Sequence, residues 1–152
     1  MGWNIECLDP KCGQRTHASD IVELIDKHRD PNGWFLCSCG KPGHIKKRFE
    51  LQERDKRWEP YLRGAVRCGD SAETYQPFVF LVSYQAQGPV SDVWFSYYKD
   101  LRPSGGRLKL GYGPGGPPVL SKESLLKLLA RLVAMHYLTR DELASAVSGG
   151  TV

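Results

Sequence analysis

The chain has 152 residues, a length that fits one domain or one domain with a small appendage. Hydrophobic residues make up 41% and charged residues 25%, which is ordinary for a globular protein and argues against global disorder. The net charge of +4 is too modest to indicate a nucleic-acid or membrane partner by itself. The longest apolar run, at residues 77 to 82, is far too short to cross a membrane.

The start of the chain carries no recognisable targeting segment. It lacks the basic and apolar stretches of a signal peptide, and Glu6 stands where myristoylation favours Ser or Thr. We therefore expect a cytoplasmic location. In a reducing compartment, clustered thiols are more often metal ligands or catalytic groups than disulfides, although disulfides remain an alternative.

The first region, about residues 1 to 44, contains four of the five cysteines. Ser19 is a candidate N-cap for a short helix between the two cysteine pairs. The apolar face of this helix is predicted to consist of Ile21, Leu24 and Ile25. The Asp-Pro-Asn-Gly sequence at residues 30 to 33 predicts a turn that ends the helix, and residues 34 to 37 predict a short strand.

The second region, about residues 45 to 112, has the pattern of antiparallel strands. Residues 45 to 53 alternate between apolar and polar side chains, and residues 62 to 68 predict a second strand that Gly64 weakens. Residues 78 to 85 are almost continuously apolar, as expected of a central strand. Residues 93 to 99 and 107 to 112 complete a predicted meander with short turns.

The third region follows a Gly/Pro-rich loop at residues 111 to 118 and predicts two helices. Ser121 is a candidate cap for the first, and Thr139 forms a capping box with Glu142 at the start of the second. The first helix carries an apolar stripe of Leu125, Leu128, Leu129 and Leu132. We expect this stripe to pack on the sheet, with a homodimer interface as the alternative.

These regions predict an α+β fold that consists of an N-terminal zinc module, an antiparallel meander sheet and two C-terminal helices. We divide the chain into residues 1–44, the zinc-binding module with its inserted helix, and residues 45–152, the sheet with its helices. We expect the two parts to pack together as one compact unit.

The cysteine pairs have the arrangement that a tetrahedral zinc site needs, with two short turns that converge on folding. The four predicted ligands are Cys7, Cys12, Cys37 and Cys39. Gly13 and Gly40 each follow a pair directly, which suits a backbone that needs positive φ to wrap around a thiolate. Four thiolates close the coordination shell, so the ion would be structural rather than catalytic.

The cysteine pairs resemble those of zinc-ribbon proteins, in which two cysteine knuckles on β-turns hold one metal. The resemblance covers about residues 5 to 45, and its spacings of four residues and one residue differ from the usual two. A second stretch, Cys-Gly-Lys-Pro-Gly-His at residues 39 to 44, resembles the middle of a CCHC zinc knuckle, an RNA-binding element. Leu36 and Phe49 occupy its other cysteine positions, so a complete knuckle is excluded. His44 is left as a substitute ligand, in place of Cys37.

The function we expect is that of a non-catalytic zinc protein that binds nucleic acid. Basic side chains near the module would contact phosphates, and an exposed aromatic ring would stack on unpaired bases. The candidate residues are Trp34, Lys46, Arg48, Arg102 and Arg107. The alternative is a protein-interaction module that docks through the ribbon or the leucine helix.

An enzyme is a third interpretation, although the sequence contains no phosphate-binding loop and no hydrolase or deaminase signature. It would predict a pocket with converging polar groups away from the four cysteines. The fifth cysteine, Cys68, is expected to be a small buried side chain at the end of a strand.

Overall fold

The computed structural model describes residues 2–47, 49–50, 57–70, 74–111 and 118–149. The described strands are β1 (Trp3–Cys7), β2 (Arg15–Ala18), β3 (Gly43–Lys46), β4 (Phe49–Glu50), β5 (Arg57–Trp58), β6 (Tyr61–Arg67), β7 (Tyr75–Ser83), β8 (Asp92–Asp100) and β9 (Leu108–Gly111). The helices are α1 (Ile21–Lys27), α2 (Lys122–Ala134) and α3 (Arg140–Val147), with a short 3-10 turn at Arg102–Ser104. In this part of the chain, no helix has the length and apolar character required to cross a bilayer.

One antiparallel sheet organises the molecule, and its seven strands lie in the order β2-β1-β3-β6-β7-β8-β9. The run from β6 to β9 confirms the predicted meander. Strand β3 pairs with β1 on one side, where Gly43 lies opposite Cys7, and with β6 on the other, where Ile45 lies opposite Leu62. The fold is therefore α+β, and the strands beside the cysteines belong to the same sheet as the meander.

Two helices cover opposite faces of this sheet, which explains the almost continuous apolar sequence of β7. Phe78 and Phe80 belong to a core cluster with α1, whereas Val79 and Leu81 pack with α2. The predicted apolar face of α1 is confirmed because all three of its residues are buried. In the apolar stripe of α2, Leu128 and Leu132 are buried but Leu125 is 45% exposed. Packing on the sheet therefore explains only part of the stripe.

The prediction of one strand across residues 45 to 53 is wrong. Strand β3 ends at Lys46, and Phe49 and Glu50 form β4, which pairs with β5 in a separate two-stranded sheet. The physical reason is Pro60 in the opposite segment, which accepts a hydrogen bond from the Lys47 amide at 3.0 Å but has no N–H to donate in return. The pairing is therefore interrupted after Lys46, and it resumes in the same register with Phe49 opposite Trp58. Residues 51 to 53 lie outside the described part of the chain.

The segment at residues 34 to 37 also differs from the predicted strand. Trp34, Phe35 and Leu36 form isolated bridges with three different segments, at Gly64, Arg29 and Pro42 respectively. A segment whose successive residues pair with different neighbours cannot form a continuous ladder of backbone hydrogen bonds. The segment instead connects the turn after α1, the middle of β6 and the start of β3.

The predicted N-caps agree with the structure in α2 and α3 and differ by one residue in α1. The cap of α1 is Asp20 rather than Ser19, because the Asp20 carboxylate accepts hydrogen bonds from the amides of Val22 and Glu23. Ser19 instead donates its amide and its hydroxyl to the Glu23 carboxylate, at 2.8 and 2.6 Å. The Ser121 cap of α2 and the capping box of α3 are confirmed.

Candidate metal centre

The four predicted cysteines lie together. The sulfur atoms of Cys7, Cys12, Cys37 and Cys39 all lie within 4.8 Å of one another. The Cys7 and Cys39 sulfurs are 3.6 Å apart, and those of Cys12 and Cys37 are 3.9 Å apart. Tetrahedral zinc with Zn–S bonds near 2.3 Å requires sulfur separations of about 3.8 Å. The donor set therefore fits a metal ion, and the separations are too long for disulfide bonds.

The first pair is positioned by the hairpin of β1 and β2. Cys7 is the last residue of β1, and the Cys12 amide donates to the Asp9 carbonyl at 3.0 Å, which closes a tight turn. The Asp9 carboxylate accepts a hydrogen bond from the Lys11 amide at 2.9 Å inside the same turn. Gly13 has a φ of +63°, as its position after the pair suggested. The four intervening residues are thus taken up by a turn that brings both sulfurs to one side.

The second pair lies in a turn just before β3. The Gly40 amide donates to the Cys37 carbonyl at 2.8 Å, and the Cys37 amide donates to the Lys41 carbonyl at 2.9 Å. Gly40 has a φ of +81°, in the region that favours glycine. This curvature lets two cysteines with a single residue between them face the same centre.

Contacts between non-ligand residues hold the two turns against each other. The Leu8 amide donates to the Pro42 carbonyl at 3.0 Å, and the Lys41 ammonium lies 2.6 Å from the Asp9 carboxylate. This ion pair lowers the pKa of Asp9 and raises the pKa of Lys41. The pair is not visible in the sequence, because the two residues lie 32 positions apart and only the folded turns bring them together.

The thiols differ in environment. Burial raises the pKa of Cys37, but hydrogen bonds from Cys39 and Thr16 outweigh it and lower that pKa to about 6. A hydrogen bond with the Gln14 backbone lowers the pKa of Cys12, yet the adjacent thiols and burial raise it overall to about 12. Burial raises the pKa of Cys7. Four adjacent thiols cannot all ionise without a compensating positive charge, which is what a bound metal would supply.

His44, the substitute ligand, lies outside the group of four sulfur atoms that can hold a metal. It is a buried residue of β3, and its ring packs edge-on against Tyr61 at a centroid distance of 5.0 Å. Its Nε2 atom is 3.8 Å from the Glu6 carboxylate. Burial lowers the pKa of His44, so the neutral ring is favoured at this position.

The residues predicted to bind nucleic acid differ in their exposure and in their ion pairs. The Lys46 ammonium is 3.0 Å from the Glu59 carboxylate, and Arg102 pairs with both Asp20 and Asp100 at 2.8 Å. Trp34 is half-buried against the core cluster on the α2 side. Arg107 is exposed, and Arg48 lies outside the described residues.

The structure does not bring Lys46 and Arg102 together. Lys46 pairs with Tyr61, and Tyr61 pairs with Ser83, which places Lys46 level with the first residues of β8. Arg102 follows the last residue of β8. The strand Asp92–Asp100 has nine residues, so its two ends are separated by about 26 Å.

The fifth cysteine has the position expected of it. Cys68 directly follows β6, is fully buried, and packs in the core cluster on the α2 side. Burial raises the pKa of its thiol to about 12, so it is protonated at neutral pH. It therefore offers no reactive thiolate.

Comparisons with protein-family models, with curated proteins and with solved structures found no match for this chain. The α+β fold and the four-cysteine cluster are therefore the features on which a functional proposal rests. The similarity to zinc ribbons and the division at residue 44 stay predictions.

Proposed function

We propose that this chain is a zinc protein in which the ion is structural and the activity is binding rather than catalysis. The observation that carries the proposal is the group of four sulfur atoms within 4.8 Å of one another. Zinc in such a shell supplies a cation that keeps the thiolates in place, and it leaves no position open for substrate. A reducing location, such as the cytoplasm, belongs to the same proposal because the thiols must stay reduced.

The ion would connect elements that hydrogen bonds join only sparsely. Strand β1 pairs with β3 through two residue pairs, Glu6 with His44 and Cys7 with Gly43. The ligands flank this short contact, with Cys7 at the end of β1 and Cys37 and Cys39 just before β3. Bound metal would therefore fix β1 and β2 to the rest of the sheet.

The test compares metal content and thermal unfolding in four proteins. We expect one zinc per chain in the native protein and in Cys68→Ala, whose thiol lies outside the cluster. Cys12→Ser and Cys39→Ser should lose zinc, and their Tm should fall to that of the chelator-treated native protein. Full zinc content in both serine variants would contradict the assignment of the ligands.

For the partner we propose nucleic acid, bound by Lys46 at the end of β3 and by Arg48, with Trp34 as the candidate stacking ring. Lys46 supports this proposal because its side chain is 48% exposed despite its contact with Glu59. The separation of Arg102 from this end leaves Arg102 and Arg107 outside the proposed surface. Phosphates would have to compete with Glu59, so we expect affinity that decreases steeply with salt.

A protein partner is the alternative, and one observation favours it. Leu125 and Leu126 on α2 are 45% and 56% exposed, and Val119 just before the helix is 72% exposed. Exposed apolar side chains on a helix that also covers the core are typical of interaction sites. A second copy of the chain is the simplest candidate for this partner.

Two measurements separate the partners. Fluorescence anisotropy with single-stranded and duplex oligonucleotides at several salt concentrations should show binding that Lys46→Glu weakens and Arg102→Glu does not. Sedimentation velocity should show a monomer if α2 is not a dimer interface. The absence of binding at low ionic strength would contradict the nucleic-acid proposal, and a dimer that Leu126→Glu dissociates would favour the alternative.

A further inference from the structure

A polar cleft lies between the C-terminal end of α1, the turn that follows it, the end of β6 and α2. Its volume is about 430 Å³, within the range of small-molecule sites. Its polar lining consists of Asp26, Arg29, Asn32, Arg67, Asp70 and Arg131. None of the four clustered cysteines lines it.

Both carboxylates in the cleft already have cationic partners. Asp26 accepts a hydrogen bond from the guanidinium of Arg67, and the Asp70 carboxylate lies 3.0 Å from the Lys127 ammonium. Arg67 is itself nearly buried and also donates to the Tyr98 hydroxyl at 2.9 Å. Arg67 is therefore engaged in contacts that stabilise the fold.

Arg29 and Arg131 are held differently, by neutral groups. Arg29 donates its Nε–H to the carbonyl of Ile25, and Arg131 donates from Nη1 to the carbonyls of Arg67 and Gly69. Neither forms an ion pair with a carboxylate of the described residues. Because a carbonyl carries no net charge, no ion pair with a described residue compensates either positive charge.

The bonds to carbonyls also fix where the remaining donors point. A guanidinium has five N–H groups, and Arg29 uses only its Nε–H in hydrogen bonds with the described residues. Among the described residues, no hydrogen bond uses either Nη group of Arg29 or the Nη2 group of Arg131. Two arginines anchored in one cleft match the oxygens of a phosphate, which arginine binds through paired hydrogen bonds.

From this arrangement we propose that the cleft binds a phosphomonoester group, with Arg29 and Arg131 as its two ligands. A dianion balances two uncompensated cations, whereas a single carboxylate would balance one. The group has two sources, a small phosphorylated metabolite such as a mononucleotide, or the 5′-phosphate at the end of a nucleic-acid strand.

The residues that line the cleft favour ligand binding over catalysis. The cleft has the position that the enzyme interpretation expects, away from the cysteines. Its described lining contains no histidine, cysteine, serine or threonine, and both of its carboxylates are engaged by cations. None of the described lining residues is thus placed to act as a nucleophile or a free general base.

The proposal is tested by calorimetric titration of the full chain, prepared with its metal, at constant ionic strength. The probes are inorganic phosphate, adenosine 5′-monophosphate, adenosine, and one oligonucleotide with either a 5′-phosphate or a 5′-hydroxyl end. We expect phosphate and the mononucleotide to bind with 1:1 stoichiometry and adenosine not to bind. Stronger binding of the strand with a 5′-phosphate than of the same strand with a 5′-hydroxyl, with the difference lost in Arg29→Gln, assigns the site to strand ends. Equal binding of the two strands, with the mononucleotide still bound, assigns it to small molecules.

Variants locate the site. Arg29→Gln and Arg131→Gln should each weaken phosphate binding by at least about tenfold, because each removes charge-assisted hydrogen bonds. Arg107→Gln, an exposed arginine outside the cleft, is the matched control and should bind as the native protein does. Arg29→Gln removes a single bond to the fold, so it remains informative if Arg131→Gln fails to fold. The proposal is overturned if phosphate does not bind at millimolar concentration, or if Arg29→Gln binds it as tightly as the native protein.

This outcome is independent of the partner proposed above. Lys46→Glu tests the surface at the β3 end and should leave phosphate binding in the cleft unchanged. Failure of one proposal is thus distinguishable from failure of the other.

Discussion

Residues outside the four cysteines do much to shape the candidate metal centre. Asp9 and Lys41 join the two cysteine turns through a 2.6 Å contact between carboxylate and ammonium. Thr16 accepts a hydrogen bond from the Ser38 amide at 2.7 Å and contacts the Cys37 sulfur, which fixes the second turn against β2. The cysteines were predictable from their pairing and the glycines after them. The supporting residues were not, because their partners are set by how the two turns face each other.

Glu23 allows a pH test at the residue scale. Hydrogen bonds from Ser19 lower the pKa of Glu23 from 4.5 to about 2 in the folded chain. A lowered pKa means that the stabilisation is complete above the unfolded pKa and is lost as the pH falls through about 2. We expect Glu23→Gln to be less stable than the native protein at pH 7, with a difference that shrinks below pH 4.5.

Urea unfolding from pH 7 downwards measures this difference. Any ion held by the cysteines would be released from both proteins alike as the pH falls. Ser19→Ala, which removes the hydroxyl donor, should show part of the same pH dependence. A difference between native protein and Glu23→Gln that stays constant with pH would contradict the role given to this carboxylate.

At the scale of elements, side-chain patterns predicted the strands of the meander but not β1 and β2, and they wrongly predicted a strand at residues 34 to 37. The meander was predictable because β7 is apolar on both faces and Gly- or Pro-containing turns separate its neighbours. The alternation after Ile45 continues past Lys46, yet β3 ends there because Pro60 in the opposite segment interrupts the hydrogen bonding. Strand length depends on the neighbouring strand, and a single segment carries no information about its neighbour.

Gly64 in β6 allows a packing test at this scale. A Cβ atom at this position would lie 2.6 Å from the Gly33 carbonyl oxygen, a backbone atom that cannot move aside alone. The close approach coincides with a register shift in β6 between Leu62 and Gly64. We expect Gly64→Ala to lower the free energy of unfolding by about 1–3 kcal/mol.

Gly105→Ala is the comparison, because a Cβ there meets no atom within 4 Å and strains only the backbone, at φ +79°. Its cost should be about 1 kcal/mol or less. Urea denaturation gives both values. If Gly64→Ala lost no more stability than Gly105→Ala, the close contact between β6 and the turn would have no energetic weight.

At the scale of the whole molecule, β3 connects the four-cysteine cluster with the rest of the fold. It follows the second cysteine turn directly and pairs with both β1 and β6, so the seven strands form one sheet. The sequence predicted the α+β class, because strand and helix periodicities are separated along the chain. It gave no sign of the arginine cleft, whose residues come from α1, β6 and α2. Such a site exists only after long-range packing.

The most direct test of the central proposal is native mass spectrometry of the purified, reduced chain. We predict the mass of the chain plus one zinc ion, less the protons displaced from the thiols, and the same zinc content in Cys68→Ala. A chain without metal would contradict the four-thiolate zinc site. A mass lower than the reduced chain by the hydrogens of disulfide bonds would contradict it in favour of oxidised cysteine pairs.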